Sequence, residues 1–209
     1  MNHELTLYTN PMSRGRIARW MLEEVGQPYQ TVYLDYGTTM KAPEYLALNP
    51  MGKVPTVVHQ GRVVTECAAI CMYLADAFPR AELAPPVSHP LRADYVRWML
   101  YAAGPVEAAV VNRQLEVKLT ARQEATVGYG NFSRVMDVLE GLVAKASPYL
   151  LGDTFSALDV YLGSQIVWGV HFGSMEKRPG FEEYAARLQA RSASIRARAL
   201  DDAAMPPKG

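Results

Sequence analysis

The chain reads as an α/β first half joined to an all-α second half, and three observations carry that reading. Up to about Phe78, short apolar segments alternate between a period of two and a period of 3.6 residues. Arg80 to Pro90 then holds three prolines in eleven residues and reads as a linker. Beyond it, nearly every window has helical periodicity. A length of 209 residues leaves room for two small domains. The expected division is 1–79, a linker at 80–90, and a helical region at 91–209.

Each element has its own signal. Glu4 to Tyr8 reads as a strand. From Arg14 to Val25, the apolar residues Ile17, Trp20, Met21 and Val25 lie on one helical face, and Gly26 supplies the stop. Gln30 to Leu34 alternates as a second strand, and Pro43 to Leu48 suits one or two helical turns. Thr56 to His59 and Arg62 to Thr65 flank Gln60-Gly61 as a hairpin. Cys67 to Ala77 is the next helix, so the order is βαβ, a short helix, then ββα. In the second half, Leu91 to Leu119 is a long helix with a kink or break expected at Gly104-Pro105, where proline removes a backbone donor. Arg122 to Ala146 follows, weakened at Gly128 and Gly130. Ser156-Ala157-Leu158-Asp159 has the spacing of a capping box, with Phe155 and Val160 placed as a hydrophobic staple. Helices at 158–172 and 181–190 complete the reading, and the tail from Asp201 is expected to fray.

Composition excludes several classes. Basic and acidic residues number 21 each, so there is no cationic face for a nucleic acid. The start, Met-Asn-His-Glu, lacks a secretory pattern. No apolar run approaches the roughly 18 residues needed to span a bilayer. Cys67 and Cys71 share one helix face, a packing arrangement suited to a reducing cytoplasm. The four histidines show no ligand spacing, so no metal is expected.

The residues richest in chemistry are Asn49-Pro50-Met51-Gly52-Lys53-Val54-Pro55, then Thr65-Glu66-Cys67-Ala68-Ala69-Ile70, then Gly152-Asp153 with Ser156 to Asp159. In this order and at these separations the chain resembles the cytosolic glutathione transferases, of bacterial type with a serine- or tyrosine-type site. The resemblance covers nearly the whole sequence. It implies a thioredoxin-like N-terminal domain, an all-helical C-terminal domain, a homodimer, and cytoplasmic detoxification chemistry. It also implies that glutathione is the co-substrate.

The resemblance further implies a cis bond at Val54-Pro55, which lets the Val54 main chain meet the cysteinyl part of glutathione as an added strand. The γ-glutamyl carboxylate would take free N–H groups at the helix start around Cys67, and Glu66 would face the ammonium. An alternative is that Thr65 merely caps this helix and Glu66 favours its dipole. Cys67 departs from the Ser or Thr usual in the family, and a thiol is a poorer donor than a hydroxyl. Lys53 and Lys41 would meet the glycyl carboxylate.

The implied chemistry is attack by the glutathione thiolate on an electrophilic carbon. A free thiol titrates near ~8.5, and lowering that by about two units takes roughly 2.7 kcal/mol of differential stabilisation. Ser13 is the leading donor to the sulfur, with Tyr8 and Asn10 as alternatives. Ser13 would equally serve as a helix cap, and Tyr8 as a strand aromatic. Arg14 and Arg16 would add positive potential. Because no cysteine precedes Cys67, cysteine-type members are poor models. The electrophile would lie between the domains against Met12, Trp98, Tyr101 and Trp168, although Tyr95, Trp98 and Tyr101 also form a stripe suited to a core or dimer interface. His171 suits a dipole or packing role. Other readings are glutathione-dependent dehalogenation, peroxide reduction or lyase chemistry, and a non-catalytic interaction module on the same scaffold.

Overall fold

The computed structural model describes residues 5–206. These fall into two compact units, one running to Leu83 and taken up again from Ala190, the other spanning Ala84–Gln189. Residues 190–206, expected within the helical region 91–209, therefore group with the first unit.

In the first unit, β1 (Leu5–Thr9), α1 (Gly15–Val25) and β2 (Gln30–Tyr33) form the opening βαβ. Short α2 (Pro43–Leu46), β3 (Thr56–His59), β4 (Arg62–Val64) and α3 (Cys67–Ala77) follow. Glu4, expected to open the first strand, lies outside the described residues. The sheet order is β2-β1-β3-β4, with β1 parallel to β2 and antiparallel to β3. Gln60 and Gly61 both take positive φ, 51° and 75°, the twist a two-residue hairpin needs. Alternation along β1 splits its side chains between two faces. Leu5 and Leu7 are buried in the main core, while Tyr8 packs with Val54 on a second cluster formed by Leu34, Met40 and Tyr45.

The tail does not fray at Asp201. A further helix, Ser192–Ala203, packs on α1 and buries Ala193, Ser194, Ala197 and Asp201. Arg19 Nε and Asp201 Oδ1 meet at 2.7 Å, with side chains only 2% and 1% exposed. The remaining Arg19 nitrogens donate to the hydroxyls of Tyr29, Thr31 and Tyr33. Removing either partner would leave the other charge buried and unpaired, at a cost of about 3–5 kcal/mol. Arg191–Glu24 (2.8 Å), Arg196–Glu23 (3.1 Å) and Arg16–Asp202 (2.7 Å) add three more pairs along the same seam.

The second unit is helical. The long helix expected from Leu91 runs without interruption as α4 (Arg92–Tyr101), a π-helical turn at Ala102–Val106 containing Pro105, and α5 (Glu107–Gln114). The helix expected at 122–146 divides at its glycines into α6 (Ala121–Thr126) and α7 (Phe132–Val143). Then come α8 (Ala157–Phe172) and α9 (Phe181–Gln189), so the Ser192–Ala203 helix of the first unit is α10. Asp159 lies fully buried at the start of α8 and accepts from Ser156 N–H (3.0 Å), Ser156 Oγ (3.1 Å), Leu150 N–H (2.9 Å) and Tyr184 Oη (2.8 Å). The expected staple residues Phe155 and Val160 are buried beside it.

Candidate functional site

The loop between β1 and α1 is built around Asn10. Its Nδ2 donates to the Leu34 carbonyl at 2.8 Å, and its Oδ1 accepts Met12 N–H at 2.9 Å. This is the local turn an asparagine side chain makes with the amide two residues on. Asn10 is 5% exposed, so its amide is committed to the fold rather than to a ligand. The half-buried Ser13 hydroxyl donates to the Asn10 carbonyl at 2.6 Å and accepts Gly15 N–H at 2.9 Å. Ser13 thus does cap-like work, as its type allows, while Arg14 is the boundary residue of α1. Gly15 is required here: a Cβ would stand 1.9 Å from Thr9 Oγ1 and 2.9 Å from Ser13 Oγ.

The second Asn-Pro-Met, at Asn49, repeats the same turn, with Asn49 Oδ1 accepting Met51 N–H at 3.1 Å. Asn49 Nδ2 also donates to the Lys53 carbonyl at 2.8 Å, and the Tyr45 hydroxyl binds that same carbonyl. Thr56 Oγ1 completes the network at 2.8 Å from Tyr45 Oη, and burial pushes the Tyr45 phenol up. Lys41 Nζ reaches the carbonyls of Gly52 (2.8 Å) and Met51 (3.3 Å). The carbonyls of Met51, Gly52 and Lys53, on the N-terminal side of Val54, are therefore all held. Val54 itself is half-buried, and its N–H and C=O have no partner among the described residues. The Val54–Pro55 peptide is cis, as the resemblance implies; Ser147–Pro148 is also cis, which the sequence did not announce. Tyr45, Asn49 and Thr56 were absent from the expected site, although Asn49 opens the motif that pointed to it.

At the start of α3 the boundary residue is Glu66, not Thr65, and no side chain among the described residues caps it. Glu66 has φ 63° and ψ 116°, a conformation that costs a non-glycine residue of order 1–3 kcal/mol. Its side chain is exposed. The first N–H groups of α3 thus carry the positive end of an eleven-residue helix with no internal acceptor. Cys67, 9% exposed, directs its thiol at the Arg14 carbonyl at 3.7 Å. That contact brings the N-terminus of α3 against the loop that carries Ser13. Cys71 is fully buried, and its hydrogen bond with Cys67, followed by burial, pushes its thiol well up.

The other expected residues are more scattered. Tyr8 is half-buried, its ring 5.7 Å from that of Tyr45, and its hydroxyl has no hydrogen-bond partner among the described residues. Lys53 and Arg14 are exposed. Arg16 is turned to the Pro11 carbonyl and Asp202. Met12 is 57% exposed, and its carbonyl accepts the Tyr36 hydroxyl at 3.2 Å. In the second unit Trp98 and Tyr101 meet edge to face at 5.4 Å, with the Arg97 guanidinium 4.2 Å from the Trp98 ring centre. Burial raises the Tyr101 phenol. Trp168 is half-buried on α8, and Tyr95 is fully buried. His171 is exposed at the end of α8, its ring against Phe172. Among the described residues, no group of three or more His, Cys, Asp or Glu is placed to hold a metal, and no helix is long and apolar enough to cross a membrane.

The fold and this site define a class: a thioredoxin-like domain with a four-stranded mixed sheet, followed by a helical region. Residues 3–76 match the family model described as the glutathione S-transferase N-terminal domain. A glutathione S-transferase-like protein, OpS6, of Beauveria bassiana is 30% identical, the match covering 67% of each chain. Glutathione S-transferase 1 of Dianthus caryophyllus is also 30% identical, over 66% of this chain but 64% of its own length, a little under two thirds. A glutathione transferase homologue from Sulfitobacter, solved with bound glutathione, superposes with a TM-score of 0.74 at 27% identity, covering 97% of this chain and 99% of that one. The chain belongs to the glutathione S-transferase family.

Proposed function

We propose that this protein is a glutathione transferase that joins the glutathione sulfur to a small apolar electrophile. The observation that carries this reading is the contact between Cys67 Sγ and the Arg14 carbonyl. It sets an uncapped helix start, with Glu66 beside it, against the loop that holds Ser13. One end supplies amide dipoles for a carboxylate and a counter-charge for an ammonium. The other supplies a hydroxyl for a sulfur. The Val54 main chain would hold the middle of the tripeptide, and Lys41 and Lys53 its glycyl carboxylate. In the reaction, the thiol gives up its proton, the thiolate forms a C–S bond, and the leaving group departs with its electron pair. Met12 is proposed to touch the electrophile. The family supports a cytoplasmic homodimer as the working form.

A second reading, a non-catalytic binding module, draws on one observation: the single Ser13 proton is donated to Asn10. Retention on immobilised glutathione followed by turnover of a chloronitrobenzene separates the two. Binding with no turnover across an electrophile panel supports the module, and no binding at all removes both readings.

Glu66→Gln provides a sharper test. It keeps the shape but loses the charge that faces the ammonium, and charge-assisted hydrogen bonds are worth about 1.5–3 kcal/mol. Glutathione affinity, measured by calorimetry, is expected to weaken at least about tenfold. An unchanged affinity would remove Glu66 from the site.

A further inference from the structure

Arg16 occupies the second position of α1, and its guanidinium faces two ways. Nε–H donates to the Pro11 carbonyl, within the loop that carries Ser13. A terminal nitrogen of the same fork pairs with Asp202 of α10 at 2.7 Å. Pro11 lies inside one hydrogen-bonded turn: Ser13 Oγ is on the Asn10 carbonyl, Met12 N–H is on Asn10 Oδ1, and Asn10 Nδ2 is on the Leu34 carbonyl. That web fixes the loop from the β2 side. On the helix side the link runs through Arg16 to α10. A planar guanidinium holds two acceptors at a set mutual angle, which a lysine ammonium does not. The neighbouring pair Arg196–Glu23 differs in reaching only the side chain and carbonyl of Glu23, well down α1 from the loop.

We propose that Arg16 and Asp202 are positioning residues that hold the Ser13 loop in register, so that the C-terminal helix is part of the apparatus orienting the thiol-activating hydroxyl. This deepens the glutathione transferase reading and rests on it. Asp202 is 65% exposed and Arg16 24% exposed, so the pair adds little to global stability. Its weight lies in orientation, where a displacement of about 1 Å can cost on the order of 100-fold in rate. Structural and positioning roles therefore predict different measurements.

The test compares Asp202→Asn and Arg16→Lys with Arg196→Met, which removes another α1–α10 pair without touching the loop. Three quantities are read in each: the melting temperature, the affinity for reduced glutathione at acid pH, and the ultraviolet titration of the bound thiol. In Asp202→Asn and Arg16→Lys the titration midpoint is expected to rise by about half to one pH unit, roughly three- to tenfold less thiolate below the midpoint. Melting and acid-pH affinity stay as in the parent, and Arg196→Met titrates as the parent does. Unmoved midpoints in both loop-side variants, or an equal shift in Arg196→Met, would overturn the proposal. A parent protein with no saturable heat from glutathione would sink the transferase reading instead.

Discussion

Alanine at position 13 is expected to raise the titration midpoint of bound glutathione by about one unit, towards the ~8.5 of a free thiol. Turnover of a chloronitrobenzene near neutral pH should fall by about tenfold, since each unit is a factor of ten in thiolate. The sign follows from the donor: a hydroxyl that hydrogen-bonds the charged form lowers the pKa, and its loss raises it. Ser13 has one proton, now on the Asn10 carbonyl. An ordinary hydrogen bond of that kind is worth about 0.5–1.5 kcal/mol net, whereas one to a charged acceptor is worth about 1.5–3. The balance therefore favours rotation to a thiolate once it is bound. Gly15 N–H, donating to Ser13 Oγ at 2.9 Å, polarises the hydroxyl in the same direction. Tyr8→Phe is the companion variant. If it raises the midpoint while Ser13→Ala leaves it in place, the donor is Tyr8, whose hydroxyl has no hydrogen-bond partner among the described residues.

Replacing Asp159 with alanine is expected to destabilise the second unit by about 4 kcal/mol, because four donors that now share one buried carboxyl would lose their acceptor. Against a typical total of about 5–15 kcal/mol this is a large share. With a urea slope near ~2 kcal/mol/M, the midpoint should drop by about 2 M. Tryptophan fluorescence would follow it, since Trp98 and Trp168 lie in that unit. A drop of less than about 0.5 M would mean that the α8 start re-pairs its donors with water. The pH dependence has a definite sign. Burial, the largest cause, raises the Asp159 carboxyl despite the four hydrogen bonds that oppose it. A folded pKa above the unfolded value means the native state holds the proton longer. Stability relative to Asp159→Asn should therefore fall as pH rises from about 4 through the raised folded value, then level off. A difference that grows over that window would show the hydrogen bonds outweighing burial.

The candidate site was suggested by the family resemblance, while the turns and helix starts that carry it follow local rules. Asn49 makes its turn with the amide two residues on, Gly52 takes a φ of 56° that glycine allows, and Glu66-Cys67 opens a helix whose apolar face is periodic. The hairpin at Gln60-Gly61 and the capping box at Ser156–Asp159 were readable for the same reason: each involves residues two to four apart. What failed to show was anything paid for by distant partners. Helix α10 carries Ala193, Ser194, Ala197 and Asp201 inward, a small and polar face that no hydropathy period detects. Its charge partners, Arg19, Glu23, Glu24 and Arg16, lie more than 160 residues away in the chain. The break at Thr126–Phe132 and the π-helical turn at Pro105 were visible as weak points, but whether a glycine or proline bends a helix or ends it depends on what packs against it.

The sequence by itself therefore determined the order of elements in the first half, because spacing and side-chain type act over a few residues, while the thioredoxin-like arrangement and the interest of the stretches at 8–14, 49–55 and 65–67 came from the family resemblance. Only the tertiary structure decided that Asn10 is tied to the Leu34 carbonyl, that the Cys67 thiol abuts Arg14, and that the chain's end returns to α1. Those outcomes depend on which groups lose water together, and burial of that kind is a property of the folded whole.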